Sequence, residues 1–451
     1  MLMTRVLLAR SCALALIVTA FPPLGATEVA PSPGASPPDA RPRGVVRVEG
    51  GVLADDRGPF WAIGVTYMAA PWFYRFDRAR LERDLAFLAD HDVDYVRVLG
   101  EVGGEFWRGR EIDPRWPDFD SVVGGLTDLA FDRFGLRVQW TVFGGVEASP
   151  TPADRVAVVD RVVDAIAARP RKVMLLEIAN EGWKNGFEGA GGREELKALV
   201  RRATARLGAR GVRLPVAPTA PPSAECDDVT AFYAGLDAQV ATLHFSRDVS
   251  GPEREWAPII EPIRYRPCPG TPGVVANNEP IGPRSSVESD DDPTRLVSAA
   301  LVTLLSRVPL HVIHSRAGVR GDIDFASLPG VAATLSELQR VRPLVPRAIA
   351  RATPVAADTP DALLELRSPV VADIGAGPGV VAYQAVRLGE DALAVAVGVR
   401  GPLSLRARRV LSLEAHDLRT GSVVERVRVT AGEVVDLGGS DAWFVRARPA
   451  S

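Results

Sequence analysis

Eight short apolar runs, separated by segments of a different period, constrain this chain more than any other feature. They fall at residues 61–65, 93–100, 136–144, 172–180, 212–220, 239–246, 273–279 and 309–315. Runs this short and this uniformly apolar read as parallel strands buried on both faces. The segments between them carry helical spacing. Residues 77–92 place Leu81, Leu85 and Leu88 on one face, residues 152–170 repeat the pattern, and residues 192–211 end on a stop glycine. Residues 292–307 and 328–341 are later examples, whereas 247–272 is Pro-rich and is expected to be a loop. Strand and helix alternating in this way predict an α/β fold, a closed (β/α)8 TIM barrel over residues 44–345, entered through a small hairpin after Val45. An open doubly wound sheet would carry a Gly-rich phosphate turn after its first strand, and "GVTYMAAPWFYRF" is aromatic instead.

The texture changes after Val345. Runs such as "GVVAYQAV", "ALAVAVGV" and "AWFVRARP" are short, β-rich and spaced by Gly, Asp and Pro, which predicts an antiparallel β-sandwich over residues 346–451. Within it "VADIGAGPGVV" (371–381) imitates a nucleotide loop. Too little chain follows for a doubly wound domain, so a turn between sandwich strands is expected. At the other end, Arg5 and Arg10 precede a short apolar core and a small-residue pattern near Ala26. Residues 1–26 are therefore expected to be a signal peptide, and 27–43 a Pro/Ala-rich linker. The apolar core is short for a membrane span, and a secreted or periplasmic mature chain is expected. Cys226 and Cys268 would then meet an oxidising compartment; a bridge and two separate thiols fit the sequence equally well.

Chemistry enters at the strand ends, because the C-terminal ends of barrel strands converge on one mouth. The fourth run, "LLEIANEGW", finishes on Asn180 and Glu181, and the seventh, "VVANNEP", on Glu279. A carboxylate closing a buried strand is costly unless it faces water or has a task. Two carboxylates across one mouth suit glycosidic bond cleavage, one attacking the anomeric carbon and the other protonating the leaving oxygen. Asn180 can hold a substrate hydroxyl. Trp183 and Tyr67 fall just after strands, where an aromatic face can stack on a sugar ring or simply pack a loop. His311 and His314 are three apart on one strand and point to opposite faces, so they cannot chelate together. His314 is expected to face the mouth, with a structural role as open as substrate contact. Glu101, Glu105 and Glu147 fall in mouth loops and are candidates for holding hydroxyls. No metal or cofactor is expected. Charges of both signs are scattered, which disfavours a nucleic-acid partner.

"VMLLEIANEGW" resembles the fourth-strand signature of the clan A glycoside hydrolases, notably the family 5 cellulases and mannanases, and "VVANNEPIGP" is placed like their seventh-strand nucleophile. The resemblance implies a retaining mechanism on a β-linked poly- or oligosaccharide, with Glu181 as acid/base and Glu279 as nucleophile. It implies that Arg97, in "YVRVLG", lies beneath Glu279 and keeps it ionised, with Glu177 as a buried partner, and that His244 contacts sugar. The family pattern has a tyrosine where this chain has Ser246, a histidine that "TVFGGVE" lacks, and a tryptophan where "HVIHSRAGVRG" stands. These departures motivate the alternative expectation of a catalytically silent carbohydrate-binding or scaffold protein on the same barrel.

Overall fold

A computed structural model describes residues 44–245, 256–284, 290–356, 359, 362–371 and 378–450. The expected signal peptide, the linker and Ser246 lie outside the described residues. A three-stranded antiparallel unit opens the fold: β1 (Arg47–Glu49), β2 (Val52–Asp55) and β3 (Gly58–Pro59). It caps the barrel end opposite the mouth. Val46, Leu53 and Phe60 join one apolar cluster with Met174, Val240, Val274 and Leu310 from the barrel strands. Arg137, at the start of a barrel strand, donates to Gly44 O at 2.9 Å and pairs with Asp55 at 3.4 Å.

The barrel strands are β4 (Ala62–Thr66), β5 (Tyr95–Glu101), β6 (Arg137–Phe143), β7 (Val173–Ala179), β8 (Val216–Thr219), β9 (Val240–Leu243), β10 (Val274–Asn277) and β11 (Leu310–Ile313). They pair in parallel in the order β8-β7-β6-β5-β4-β11-β10-β9. Every residue of these strands is buried, which is why each read as a continuous apolar run. β8 and β9 end this order, and Tyr233 stitches the seam between them. Its hydroxyl accepts from Thr242 N at 2.8 Å and donates to Thr219 O at 2.9 Å, giving backbone groups on both strands a partner.

The predicted helices form. That at Arg78–Asp90 is capped by Asp77 and buries Leu81, Leu85 and Leu88. That at Pro152–Ala167 carries a capping box between Thr151 and Asp154. The Pro-rich segment departs from expectation: Ala257–Arg264 is a short helix, with Pro258 in its first turn, where a missing N–H is harmless. Cys226, opening the helix Cys226–Tyr233, is disulfide-bonded to Cys268, with 5.3 Å between the Cα atoms.

The C-terminal strands are β12 (Thr353–Val355), β13 (Leu364–Leu366), β14 (Ala382–Leu388), β15 (Asp391–Val397), β16 (Leu403–Ala407), β17 (Leu411–Asp417), β18 (Val423–Val429), β19 (Val434–Leu437) and β20 (Ala442–Pro449). They build an antiparallel sheet β12-β14-β15-β20-β17-β18 facing a smaller one, β13-β16-β19. β12, β16 and β19 escaped the sequence reading because they are short and lack a long alternating run. Residues 372–377 of the Gly-rich decoy lie outside the described residues. Its described flanks meet in an isolated parallel bridge, Val371 N donating to Val380 O and Val380 N to Pro369 O, each at 2.9 Å, rather than as the two antiparallel arms of a hairpin. The larger sheet covers the helix Pro293–Leu305. That helix is apolar almost all round because Leu296–Leu305 is buried on every side. Val386, Leu393, Val395 and Phe444 share the barrel's apolar cluster, and Arg419 pairs with Asp292 at 2.8 Å.

Candidate active site

The network begins below the mouth, inside the barrel. β5 delivers Arg97, which is fully buried and surrounded by acceptors. It donates from Nη1 to Glu279 Oε1 at 2.8 Å, and from Nη2 to Glu177 Oε2 at 3.1 Å and Asn180 Oδ1 at 2.6 Å. Burial disfavours the guanidinium charge, but Glu177 and Glu279 outweigh it and hold Arg97 above its usual range. Glu177 is further fixed by Thr141 Oγ1 at 2.7 Å and Asn278 Nδ2 at 3.3 Å. Gln139 donates to Asn278 Oδ1 at 3.2 Å. Polar groups from β5, β6, β7 and the end of β10 thus form one hydrogen-bonded floor.

Above this floor Glu181 and Glu279 face each other. One oxygen from each, with a ring nitrogen of His244, all lie within 4.8 Å of one another. His244, just beyond β9, stands between them, its Nδ1 3.2 Å from Glu181 Oε1 and 3.6 Å from Glu279 Oε2. Glu279 is 3% exposed, whereas the Glu181 side chain reaches 16%. His314, one residue beyond β11, approaches from the other side. Its Nδ1 is 3.1 Å from Thr66 Oγ1 and its Nε2 3.8 Å from Glu279 Oε2. His311 turns outward, with Nδ1 3.1 Å from Thr303 Oγ1, and burial pushes it down to about 3, so it stays neutral.

The backbone at Glu181 is unusual. Its φ is +46°, a left-handed conformation that costs an L-residue about 1–2 kcal/mol. Neighbouring bonds hold it there. Asn180 N donates to Phe143 O at 2.7 Å, Gly182 N to Thr219 Oγ1 at 2.8 Å, and Asn185 Nδ2 to Asn180 O at 2.7 Å. The kink ends the strand and starts a turn in which Lys184 N donates to Glu181 O at 2.9 Å. That turn brings Lys184 Nζ to 2.7 Å from Glu181 Oε2 and 5.0 Å from the Trp183 ring centre. Burial alone would raise the Glu181 carboxyl. His244 and Lys184 outweigh burial and the repulsion from Glu279, and hold it well below the ordinary carboxylate range.

Of the sequence candidates, the structure brings Glu181, Glu279, Asn180, Arg97, His244 and His314 together, with Trp183 half-buried beside Lys184. Tyr67 is a correction. It is fully buried against Phe73 and Phe325, its hydroxyl donates to Asp84 at 2.6 Å, and it presents no face to the mouth. Glu101 is also misread as a hydroxyl binder: it is fully buried and ties down the loop after β6, accepting from Ala148 N at 2.9 Å and Ser149 Oγ at 2.6 Å. Lys184 was missed. Its spacing of three from a strand-end glutamate was the available signal, and only the kink at Glu181 turns that spacing into contact.

No protein-family model matches this sequence, and no curated protein matches it. Among solved structures, one similar chain is a glycoside hydrolase family 5 protein from Bacteroides vulgatus. The match covers 90% of this chain and 94% of that chain, with a TM-score of 0.63 and 11% identity. The two chains share a fold. A second is the catalytic domain of a family 30 xylanase C from Talaromyces cellulolyticus, covering 87% of this chain and 97% of that one at 11% identity and a TM-score of 0.49. Among the described residues, no helix is long and apolar enough to cross a membrane.

Proposed function

We propose that this chain is an exported retaining glycoside hydrolase acting on a β-linked poly- or oligosaccharide. The observation that carries the reading is the pair Glu181 and Glu279, which follow the non-adjacent strands β7 and β10 and face each other at the mouth, with one oxygen of each within 4.8 Å of the other. Retaining enzymes hold their carboxyl groups about 5–5.5 Å apart, and inverting ones about 6.5–9.5 Å to admit a water. Glu279, bonded to Arg97 and nearly buried, is the nucleophile. Its oxygen attacks the anomeric carbon as the glycosidic C–O bond breaks, and the Glu181 proton passes to the leaving oxygen. Glu181, now a carboxylate, takes a proton from water, which attacks the same carbon and frees Glu279.

Asn180 has its carbonyl oxygen committed to Arg97, which leaves its amide hydrogens for a substrate hydroxyl. His244, His314 and Trp183 line the same region and would complete the sugar site. A solved glycoside hydrolase of the same fold supports the reading. The disulfide supports export, since such bonds persist in oxidising compartments. The test is a polysaccharide panel read by new reducing ends, followed by Glu279→Ala and Glu181→Ala on the substrate found. Each variant is expected to lose at least about 100-fold in kcat, and azide is expected to restore part of the turnover of one on an activated glycoside. Near-normal turnover in either variant refutes the assignment. Binding without release of reducing ends would leave a silent carbohydrate-binding barrel instead.

A further inference from the structure

Only three of the 53 basic residues in this chain are lysines. Lys172, at the end of β7 opposite Glu181, bridges Asp128 and Asp132, and Lys197 pairs with Glu194 on its own helix. Lys184 is different. Its ammonium lies 2.7 Å from Glu181 Oε2, and the turn that carries it is tied to the barrel through Gly182 and Thr219. Among the described residues, three charged or titratable groups face Glu181. Lys184 comes from its own turn, His244 from the end of β9, and Glu279 from beyond β10.

A proton donor must be neutral when the bond breaks, yet an ammonium at this distance favours the carboxylate. The Lys184 side chain is 46% exposed, so water is within its reach. A lysine is a point charge on a flexible stem and can swing away. An arginine would engage both carboxylate oxygens through a rigid fork. We propose that Lys184 is a displaceable counter-ion of Glu181, which releases it to accept a proton as substrate fills the mouth and thereby sets the upper pH limit of turnover. The role in turnover rests on the glycosidase reading above; the coupling between the two side chains does not.

Lys184 favours the ionised form, so it makes the protonated fraction of Glu181 fall away at lower pH. Removing it moves the alkaline limb of kcat/KM upward. The experiment compares wild type, Lys184→Met and Lys184→Arg in the full chain. Glu181 is titrated by NMR of 13C-carboxyl glutamate, its signal assigned as the one missing from Glu181→Gln, and kcat/KM is followed against pH. Lys184→Met is expected to raise both the titration midpoint and the alkaline limb by about one pH unit. Lys184→Arg is expected to keep both near wild type while lowering kcat, because the fork releases Glu181 less readily. An unmoved midpoint in Lys184→Met overturns the proposal, and a moved midpoint with an unmoved limb overturns the role in turnover. The NMR arm needs no substrate, so failure to find hydrolysis would sink the glycosidase reading and still decide the coupling.

Discussion

Arg97→Met is the sharpest test of the buried network. Arg97 and Glu177 are fully buried, and Glu279 is 3% exposed. Methionine is close in length and carries no charge, so the substitution strips Glu177, Glu279 and Asn180 Oδ1 of their shared guanidinium while keeping most of the side chain's volume. Removing one partner of a buried ion pair costs about 3–5 kcal/mol, mostly from the charge left behind. For a barrel of about 300 residues this lowers the melting temperature by roughly 5–8 °C. The assay is calorimetric or far-UV unfolding at neutral pH. A companion variant separates charge from packing. Arg97→Met with Glu177→Gln removes one stranded carboxylate and is expected to recover roughly 1–3 kcal/mol, since the two positions share one interaction. Turnover is not expected to recover, because Glu279 still lacks the cation that favours its ionised form. An Arg97→Met protein within about 1 kcal/mol of wild type would refute the reasoning, and so would a double variant no more stable than the single one.

Two further outcomes follow from buried chemistry elsewhere. The Cys226–Cys268 bridge spans 42 residues of sequence, for which chain entropy gives about 4 kcal/mol of stabilisation; Cys226→Ser, or reductant, should lower the melting temperature, and equal melting with and without reductant would argue against the bridge. Glu101 is pushed by burial to about 7 from an ordinary 4.5, against the bonds from Ser149 and Ala148. The folded state therefore binds its proton more tightly than the unfolded state. This contribution to stability is full below about pH 4.5, falls as pH rises to about 7, and is level above that. Glu101→Gln should flatten that fall in urea titrations at several pH values, and an unchanged slope would show that Glu101 is not its source.

Much of the barrel was legible because period and apolarity are local properties. A strand buried on both faces must be apolar throughout, and each of the eight runs became a strand. The helix Ala257–Arg264 was hidden because it carries two prolines: Pro258 sits in the first turn, where a missing N–H is harmless, but Pro262 lies inside the helix, where a proline ordinarily argues against one. The helix Pro293–Leu305 could be predicted, but its covering sheet could not, since an all-round apolar helix does not name what buries it. Tyr67 was misread for a related reason. An aromatic after a strand can turn toward the mouth or into the core, and the partner that decides is Asp84, on the following helix.

By itself the sequence determined the strand-and-helix alternation and the strand-end positions of Glu181 and Glu279, because both depend on spacing along the chain. Tertiary structure alone decided which groups meet. Arg97 and Glu279 are 182 residues apart and bond only once the barrel closes. Cys226 and Cys268 become a pair only in the fold. Lys184 lies three residues from Glu181, yet even this contact depends on a left-handed residue held in place by Thr219 and Phe143 from neighbouring strands. Electrostatic partnership depends on distance in space, which a linear pattern does not encode.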